Sequence, residues 1–518
     1  MKRNFLAFLL LSGILWVSSC QQMFEVTPRN QLARKFILND ITTTQGILNS
    51  CYARLRDLNY YGRSLILLPE LLADNCTLAN PAARSGRGLN EAQNLPGAHM
   101  VHWQVCYFNI NSCNLILDNV DNIPNTTAAI PLQKNAIKAQ AHFLRALAYF
   151  DLIRTYAYNP NYVQNGFDLG VPIVLKGVDD YTAIPKPARA KIVDVYKQIE
   201  KDLQDAINFA ILTGTPDAAF GGAANARFVG TRTAAHALLA RVYLYWSGAL
   251  PSNTALLEAA RDNAIIAINN AGLLGANMTN AAGHVSAWTV RPIAGPHQES
   301  LFEVNINSLA EANAAGINSD GSLQGWYNRH LLPSGATVGW GDVIASPDLV
   351  NFLTANLTDV RHNDALLAPT QAGARVGEPA TTRETRKYSV PVPPTAARPF
   401  GLINIPIIRL AEMHLILAEA RALLGDGVNA STSLNTVRTN RGLAASTSSG
   451  PALLQEIYDE RRREFAFEGH RWFDFTRRGL GVRKPDGSII PFSDFRILPP
   501  IPLVDIQSNK NLVQNPGY

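Results

Sequence analysis

The sequence is poor in cysteine and in charge, and it lacks the long hydrophobic runs of an integral membrane protein. Its 518 residues include five cysteines, and charged residues make up only 17%. The N-terminal apolar run, from Phe5 to Val17, is too short to span a bilayer comfortably, and no later segment supplies eighteen uncharged apolar residues. A chain of this length buries a large core, so we expect its stability not to depend on disulfides.

Several signatures of catalysis and of nucleic-acid binding are also missing. The chain contains no GxSxG, P-loop, dinucleotide-binding or HExxH motif. Lys and Arg together number 46 against 41 acidic residues, and the basic residues are scattered, which excludes a nucleic-acid partner. His99 and His102 lie three residues apart, but no second pair of metal ligands accompanies them. We therefore predict a non-enzymatic protein with no cofactor and no metal.

The N-terminus has the layout of a bacterial export signal. Lys2 and Arg3 precede the apolar run, which ends in Val17-Ser18-Ser19-Cys20, the pattern of a lipobox. We predict a signal peptide over residues 1–19, lipidation of Cys20, and a polar tether over 20–41, so that the membrane is reached through the lipid anchor only. The alternative is an ordinary signal peptide cut near Ser19, with Cys20 incidental.

Apolar residues at three- and four-residue spacing dominate two parts of the chain and predict a mainly α fold. Alanine-rich helices joined by short turns resemble tetratricopeptide (TPR) repeats, so we expect a TPR-like scaffold over 42–271 and 403–518. Between them, residues 272–402 are rich in Gly, Asn and Pro, and predict a large irregular insertion with few short strands, one of them at Ser300–Ile306. The clearest predicted helices are Leu132–Tyr156, Arg232–Trp246, Leu256–Asn269 and Ile407–Leu424.

Four cysteines remain after Cys20, all in the N-terminal quarter of the chain. If Cys106 and Cys113 share one helix, the rise between them is roughly 10 Å, beyond the reach of a disulfide. We therefore expect buried thiols at these two positions. A disulfide between Cys51 and Cys76 stays open as a possibility in an exported protein.

The irregular insertion carries the residues that best suit a ligand site. A sugar offers apolar C–H faces and a ring of hydroxyls, so its receptor needs flat aromatic side chains beside polar ones. Loops on a rigid scaffold are the usual place for such residues. The alternative for each tryptophan is a place in the core. The predicted ligand-binding residues are Trp288, Trp326, Tyr327, Asn328, Arg329, Trp340 and Asp342.

Three carboxylates with four-residue spacing, Glu460, Glu464 and Glu468, would share one helical face. Paired carboxylates are the machinery of glycoside hydrolysis, so a hydrolase is one hypothesis. The surrounding arginines favour another, because Arg461–Arg463, Arg471, Arg477 and Arg478 can pair with Glu464, Glu468 and Asp474 and keep them ionised. We predict structural ion pairs here.

Several blocks of sequence resemble one family. They are AQAHFLRALAYFDLIRTY at Ala139–Tyr156, IRLAEMHLILAEA at Ile408–Ala420, LNTVRTNRGL at Leu434–Leu443, ERRREFAFEGHRWFDFTRRG at Glu460–Gly479, and the ending NLVQNPGY. Together with the lipobox, they are similar to the SusD/RagB family over nearly the whole mature chain.

That resemblance implies an outer-membrane lipoprotein, facing the cell exterior, which captures a glycan or sometimes a peptide. It would deliver this nutrient to a SusC-like TonB-dependent transporter as partner. A hypothesis of another class is a non-catalytic scaffold or adhesin, whose repeat surface binds a protein and whose aromatic residues only fill the core.

Overall fold

The computed structural model describes residues 38–79, 100–179, 184–211, 223–289, 295–306, 321–371, 381–389 and 400–518. The predicted signal peptide, Cys20, most of the tether and His99 lie outside these ranges. Within the ranges, every helix is too short or too polar to cross a membrane.

The described residues are mainly α-helical, as predicted. The first eight helices are α1 Ile41–Arg54, α2 Ser64–Leu71, α3 Trp103–Asn119, α4 Ile130–Tyr156, α5 Ile192–Ile211, α6 Ala223–Ala226, α7 Arg232–Ser247 and α8 Thr254–Asn270. The others are α9 Ala281–Thr289, α10 Leu323–Tyr327, α11 Pro347–Thr354, α12 Leu410–Leu423, α13 Gly427–Thr439, α14 Gly450–Phe465, α15 Arg471–Thr476 and α16 Leu503–Ser508.

Helices that follow one another pack as pairs, which is the TPR-like arrangement expected. Helix α4 packs against α5, α7 against α8, and α12 against α13, while α8 also contacts α12 and so joins two pairs. Alanines lie fully buried at these contacts, among them Ala237, Ala264 and Ala418. Small side chains allow the helix backbones to approach closely, and the pairs therefore form one continuous scaffold.

Helix α4 is buried on more than one side. Of its 27 residues, 19 are buried, including Phe143, Leu147 and Phe150. One of its buried charges is paired with the neighbouring helix: the Arg145 guanidinium donates to both carboxylate oxygens of Asp202 on α5. A central helix of this kind holds several neighbours at once, because each of its faces meets a different element.

One predicted helix is partly wrong. The segment predicted as a helix from Ile407 begins as a strand, Ile405–Arg409, and becomes helical only at Leu410. The strand pairs antiparallel with Ser300–Val304. The run of β-branched isoleucines favours this extended backbone, and the pairing overrides the helical spacing of the apolar residues.

The strands are short, as predicted for the insertion. They are β1 Cys76–Leu78, β2 Ser300–Val304, β3 His330–Leu331, β4 Thr337–Val338, β5 Val343–Ala345, β6 Leu367–Pro369, β7 Arg383–Thr385, β8 Ile405–Arg409, β9 Val482–Arg483 and β10 Ile489–Ile490. All pair antiparallel in twos: β1 with β5, β2 with β8, β3 with β4, β6 with β7 and β9 with β10. The predicted strand at Ser300 is confirmed, and its pairing with β8 ties the insertion to the C-terminal helices. The domain boundaries at 271 and 402 stay a prediction.

The cysteines behave as buried thiols. Cys106 and Cys113 lie on α3, as predicted, and Cys51, Cys76, Cys106 and Cys113 are all fully buried and unbonded. Cys76 lies on β1, where it faces Ala345 in the strand register. Cys51 lies on α1, and the disulfide between Cys51 and Cys76 that was considered from the sequence is not formed.

Candidate functional site

The structure brings most of the predicted ligand residues together, but in the interior. Trp326 and Tyr327 form the end of α10, which starts where the Ser322 hydroxyl accepts a hydrogen bond from the Gly325 amide at 2.9 Å. The Trp326 side chain is 1% exposed and Tyr327 and Asn328 are fully buried. In this conformation none of the three offers a face to a sugar.

These buried residues pack against specific neighbours. The Trp326 ring lies 5.6 Å from the Trp340 ring in an edge-to-face arrangement, and the Arg63 guanidinium lies 4.9 Å from its centre. Asn328 donates to the carbonyl of Thr385 at 2.8 Å. Contacts of this kind stabilise the insertion, so the burial favours the packing interpretation over ligand contact for Trp326 and Asn328.

Trp288 is likewise interior, at 1% exposure. Its ring lies 4.4 Å from that of His297 and 5.8 Å from that of Tyr388, which in turn stacks on Tyr327 at 6.1 Å. Of the predicted set, Trp340 and Arg329 keep partial exposure, while Asp342 is buried. A ligand that reached the insertion would therefore meet Trp340 and Arg329 first.

The three carboxylates with four-residue spacing lie inside a buried ion cluster, as predicted. Glu464 accepts from Arg441 at 2.9 Å, from Arg409 at 2.9 Å and from Arg361 at 3.2 Å. Burial alone raises the pKa of Glu464, but the guanidinium groups of Arg441 and Arg409 hold that pKa well below its usual range. A general acid needs the opposite shift, and this ionised carboxylate is also sealed from substrate.

The same arginines and one lysine neutralise the neighbouring acids. Glu468 pairs with Lys387 at 2.6 Å and with Arg409 at 2.8 Å, and Glu460 pairs with Arg361 at 2.7 Å. Glu299 on the insertion side completes what we call the buried ion cluster. Its members are Glu299, Glu460, Glu464, Glu468, Arg361, Lys387, Arg409 and Arg441. Structural ion pairing is confirmed here.

The partners of these acids were predicted incorrectly in part. The arginines of the same motif do pair with Asp474, through Arg461 at 3.0 Å and Arg477 at 3.0 Å. Arg462 and Arg471 instead bind Asp74, far along the chain. Glu464 is instead paired with Arg361, Arg409 and Arg441, which lie outside the motif. Residues on one helix point outward in different directions, so the arginines of the motif face other partners.

A roomy cleft is lined by described residues that lie outside the insertion. It has a volume of about 1060 Å³, at the upper end for small-ligand sites. We call it the α3 groove. Its walls are the N-terminal half of α3, residues 172–179, residues 184–187, and α16 with the chain up to Leu512.

Helix α3 gives the groove its aromatic floor. Residues 104, 107, 108 and 111 repeat at helical spacing on one face, while Cys106, Ile110 and Cys113 are buried on the other. Phe108 is 64% exposed, an unusual exposure for a large aromatic ring. Beside it, Trp103 and Tyr107 pack with their ring centres 5.0 Å apart, and the Tyr107 hydroxyl donates to the Pro172 carbonyl at 2.8 Å.

Polar side chains line the same cleft. Asn111 is fixed by donating to the Val178 carbonyl and accepting from the Val178 amide. Asn509 on the opposite wall donates to the Pro187 carbonyl at 2.9 Å. Burial raises the pKa of Asp505, although the neighbouring Gln104 and Trp103 side chains act to lower it. Aromatic faces with amides and a carboxylate are the groups that bind the two kinds of surface on a sugar.

Buried Arg189 holds the walls of the groove together. Its guanidinium donates to the Gly170 carbonyl at 2.6 Å, to Val513 at 3.0 Å and to the Asn515 side chain at 2.8 Å. Burial lowers the pKa of Arg189 to about 10. The family-like ending NLVQNPGY is thus explained as a segment that docks onto Lys186 and Arg189. This groove was not predicted from the sequence, where the one available signal was Phe108 on the polar face of a helix.

A TPR-like helical scaffold with a buried ion cluster and an open aromatic groove defines a class of binding protein rather than one chemistry. The family description "Starch-binding associating with outer membrane" matches residues 31–244, and the description "SusD family" matches residues 358–518. The chain belongs to the SusD/RagB family.

Individual relatives agree with this assignment along the whole chain. "SusD-like protein P2" of Formosa agariphila is 26% identical over 100% of both chains. "Starch-binding protein SusD" of Bacteroides thetaiotaomicron is 31% identical over 125 residues, which are 22% of each chain. A "putative sugar binding protein" from Bacteroides vulgatus has a similar structure, with a TM-score of 0.73, 26% identity, and coverage of 93% of this chain and 99% of that one.

Proposed function

We propose that this protein is a carbohydrate-binding receptor that captures a glycan in the α3 groove and delivers it to a SusC-like TonB-dependent transporter. The observation that carries the proposal is the exposed Phe108 ring in a roomy cleft with fixed amides on both walls. An unliganded protein gains nothing from an aromatic ring in water, whereas a bound sugar would cover it.

The relatives support the same class of ligand. One is named for starch binding and a similar structure is described as a putative sugar binding protein, and we extend that property to this chain. The loop residues Trp340, Arg329 and Asp342 remain a second possible contact region, because Trp340 and Arg329 are partly exposed. Substitutions in the groove and in the loop region are therefore expected to affect glycan binding differently, depending on which of the two is the site.

Replacing Phe108 by alanine is expected to weaken glycan binding by up to about tenfold, since stacking on one aromatic ring contributes about 0.5–1.5 kcal/mol. Folding should be unaffected, because the ring is mostly in solvent. Calorimetric titration of the mature protein against a panel of polysaccharides, oligosaccharides and short peptides measures this effect.

Two control variants, compared with Phe108→Ala, show which region binds the ligand. Leu357→Ala removes another exposed apolar side chain, 79% exposed, and should leave binding unchanged. Trp340→Ala should also leave it unchanged if the groove is the site. Loss of binding in Trp340→Ala with normal binding in Phe108→Ala would move the site to the insertion.

A peptide is the second candidate ligand, and one feature favours it. Ile184, at the rim of the groove, is 58% exposed and would suit an aliphatic side chain better than a sugar. Saturable binding of peptides alone in the same titration would select this function. If no glycan or peptide of the panel bound, and a partner protein bound to the repeat surface, the scaffold or adhesin would be favoured instead.

We also propose that Cys20 carries the lipid that holds the protein to the outer membrane, facing the cell exterior. Replacing Cys20 by alanine removes the acceptor, so the protein is expected to move from the membrane pellet to the soluble fraction. Fractionation followed by immunoblotting measures the change, and protease treatment of intact cells reports the exposed face. Retention of the variant in the pellet would contradict the anchor.

A further inference from the structure

Acidic side chains outnumber basic ones in the α3 groove. Asp179 and Asp505 both line it, whereas Lys186 is the one basic side chain among the described residues of its walls. Asp179 and Lys186 are exposed, and Asp505 keeps partial exposure. The groove therefore carries a negative charge, which disfavours a sulfated or uronic acid glycan and favours a ligand of the opposite sign.

Asp505 is an acid without a basic partner. Within the part of the chain that the structure describes, Asp505 forms no ion pair, and its Oδ2 atom is buried without a hydrogen-bond partner. Arg189 does not serve as that partner, because its guanidinium donates to four backbone carbonyls and to the Asn515 side chain. A carboxylate that is partly withdrawn from water is costly when unpaired, so a ligand that supplies a cation gains affinity there.

Aromatic rings line the same groove as this carboxylate. Tyr107 is partly exposed and Phe108 is 64% exposed. Burial, with smaller contributions that include the Asp505 charge, raises the pKa of Tyr107 well above its usual range, which is consistent with a carboxylate near this ring. The face of an aromatic ring attracts cations, and a carboxylate pairs with an ammonium group. Rings and a carboxylate together suit a protonated amine.

An acid in the first turn of a helix also has a structural use, because it offsets the helix dipole. Asp505 has that position in α16. The dipole explains neither the second acid at Asp179 nor the aromatic floor of the groove. A role in the helix alone would leave the binding of charged and neutral sugars equally affected by its replacement.

Building on the proposed function, we propose that the α3 groove prefers a glycan that carries protonated amino groups, such as a glucosamine polymer, and that Asp505 sets this preference. The ammonium group binds the Asp505 carboxylate while a sugar ring stacks on Phe108. Acetylation of the amine removes the positive charge, so the acetylated form of the same glycan loses the ion pair but keeps the stacking.

Calorimetric titration of the mature protein with two oligosaccharides of the same length and linkage tests the preference. One is a glucosamine oligomer and the other is its N-acetylated form. At about pH 6 a sugar amine, like an α-amino group, is mostly protonated. The glucosamine oligomer is expected to bind about tenfold more tightly. Added salt should reduce the difference, because it screens the ion pair.

Two variants assign the preference to one carboxylate. Asp505→Asn removes the charge with almost no change of shape, so it should abolish the difference between the two oligosaccharides while the acetylated one binds as before. That retained binding also shows that the variant is folded. Asp459→Asn removes an exposed carboxylate on α14, outside the groove, and should keep the tenfold difference.

Equal affinity of the unchanged protein for the two oligosaccharides would overturn the inference, as would a preference that survives in Asp505→Asn. If Phe108→Ala then weakened both oligosaccharides equally, the groove would still be the glycan site, and the proposed function would stand without a preference for amines. Failure of both oligosaccharides to bind would overturn the inference too, and binding of lysine-rich peptides in their place would assign the amine to a peptide. The proposed function would then depend on the neutral polysaccharides of the wider panel.

Discussion

Replacing Glu464 by alanine is expected to destabilise the protein by ~3–5 kcal/mol, a large part of the ~5–15 kcal/mol that holds a typical fold together. Glu464 is the acid at which Arg361, Arg409 and Arg441 meet. Its removal leaves three buried guanidinium groups short of a partner, and water cannot reach them. The midpoint of urea unfolding, followed by far-ultraviolet circular dichroism, measures the loss.

A control on the same helix separates the buried ion cluster from helix propensity. Asp459 also lies on α14, with its carboxylate accepting only an exposed hydrogen bond from Gln455 at 2.9 Å. Asp459→Ala should change the stability by less than about 0.5 kcal/mol. If Glu464→Ala unfolded within 1 kcal/mol of the control, on the scale of surface substitutions, the buried ion cluster would not be a main source of stability.

The helical scaffold was predictable because its signals are local. Leu132–Tyr156 and Arg232–Trp246 repeat apolar residues at helical spacing, and the observed helices end within two residues of these bounds. The error at Ile407–Arg409 has a nonlocal cause, since this segment is extended only through pairing with Ser300–Val304. The spacing of apolar residues within one segment carries no information about a partner strand more than a hundred residues away.

The candidate site was far less predictable for the same reason. Loop composition suggested Trp326 as a ligand platform, but the ring is covered by Arg63 and Trp340, which approach it only in the folded chain. The α3 groove needs walls from α3, from residues 172–179 and 184–187, and from the C-terminal segment, joined by Arg189. Neither the burial nor the cleft is a property of any single stretch of sequence.

Acid is expected to destabilise the protein well above the pH at which carboxylates are protonated, because several histidines are buried in the neutral form. Burial lowers the pKa of His102 to about 4 and that of His470 to about 3, and it lowers the pKa of His284 well below the usual range. In the unfolded chain a histidine titrates near 6.5. The groups facing His470 include Glu412, Arg241, Arg461 and Asp474, and His102 faces Asp151 and Arg154, but burial is the largest influence on both.

The direction of the effect follows from proton counting. Between about pH 6.5 and pH 4 the unfolded chain binds a proton on each of these imidazoles and the folded protein does not, so stability falls as the pH falls. Each imidazole contributes up to about 1.4 kcal/mol per pH unit, and the three together about 4 kcal/mol per unit near pH 5. Glu464 and Asp474 have lowered pKa values, so they add to the loss only at lower pH.

Urea unfolding at several pH values between 7 and 4.5 measures this slope. His470→Gln should reduce it by about 1.4 kcal/mol per pH unit, because one proton-binding group is removed from the unfolded chain. His362→Gln is the control: that side chain is partly exposed, with its ring nitrogen bonded to the Leu357 carbonyl at 3.1 Å, and its replacement should leave the slope unchanged. Stability that stayed constant from pH 7 to pH 5 would show that the folded protein takes up these protons, and so that the imidazoles are not sealed in the core.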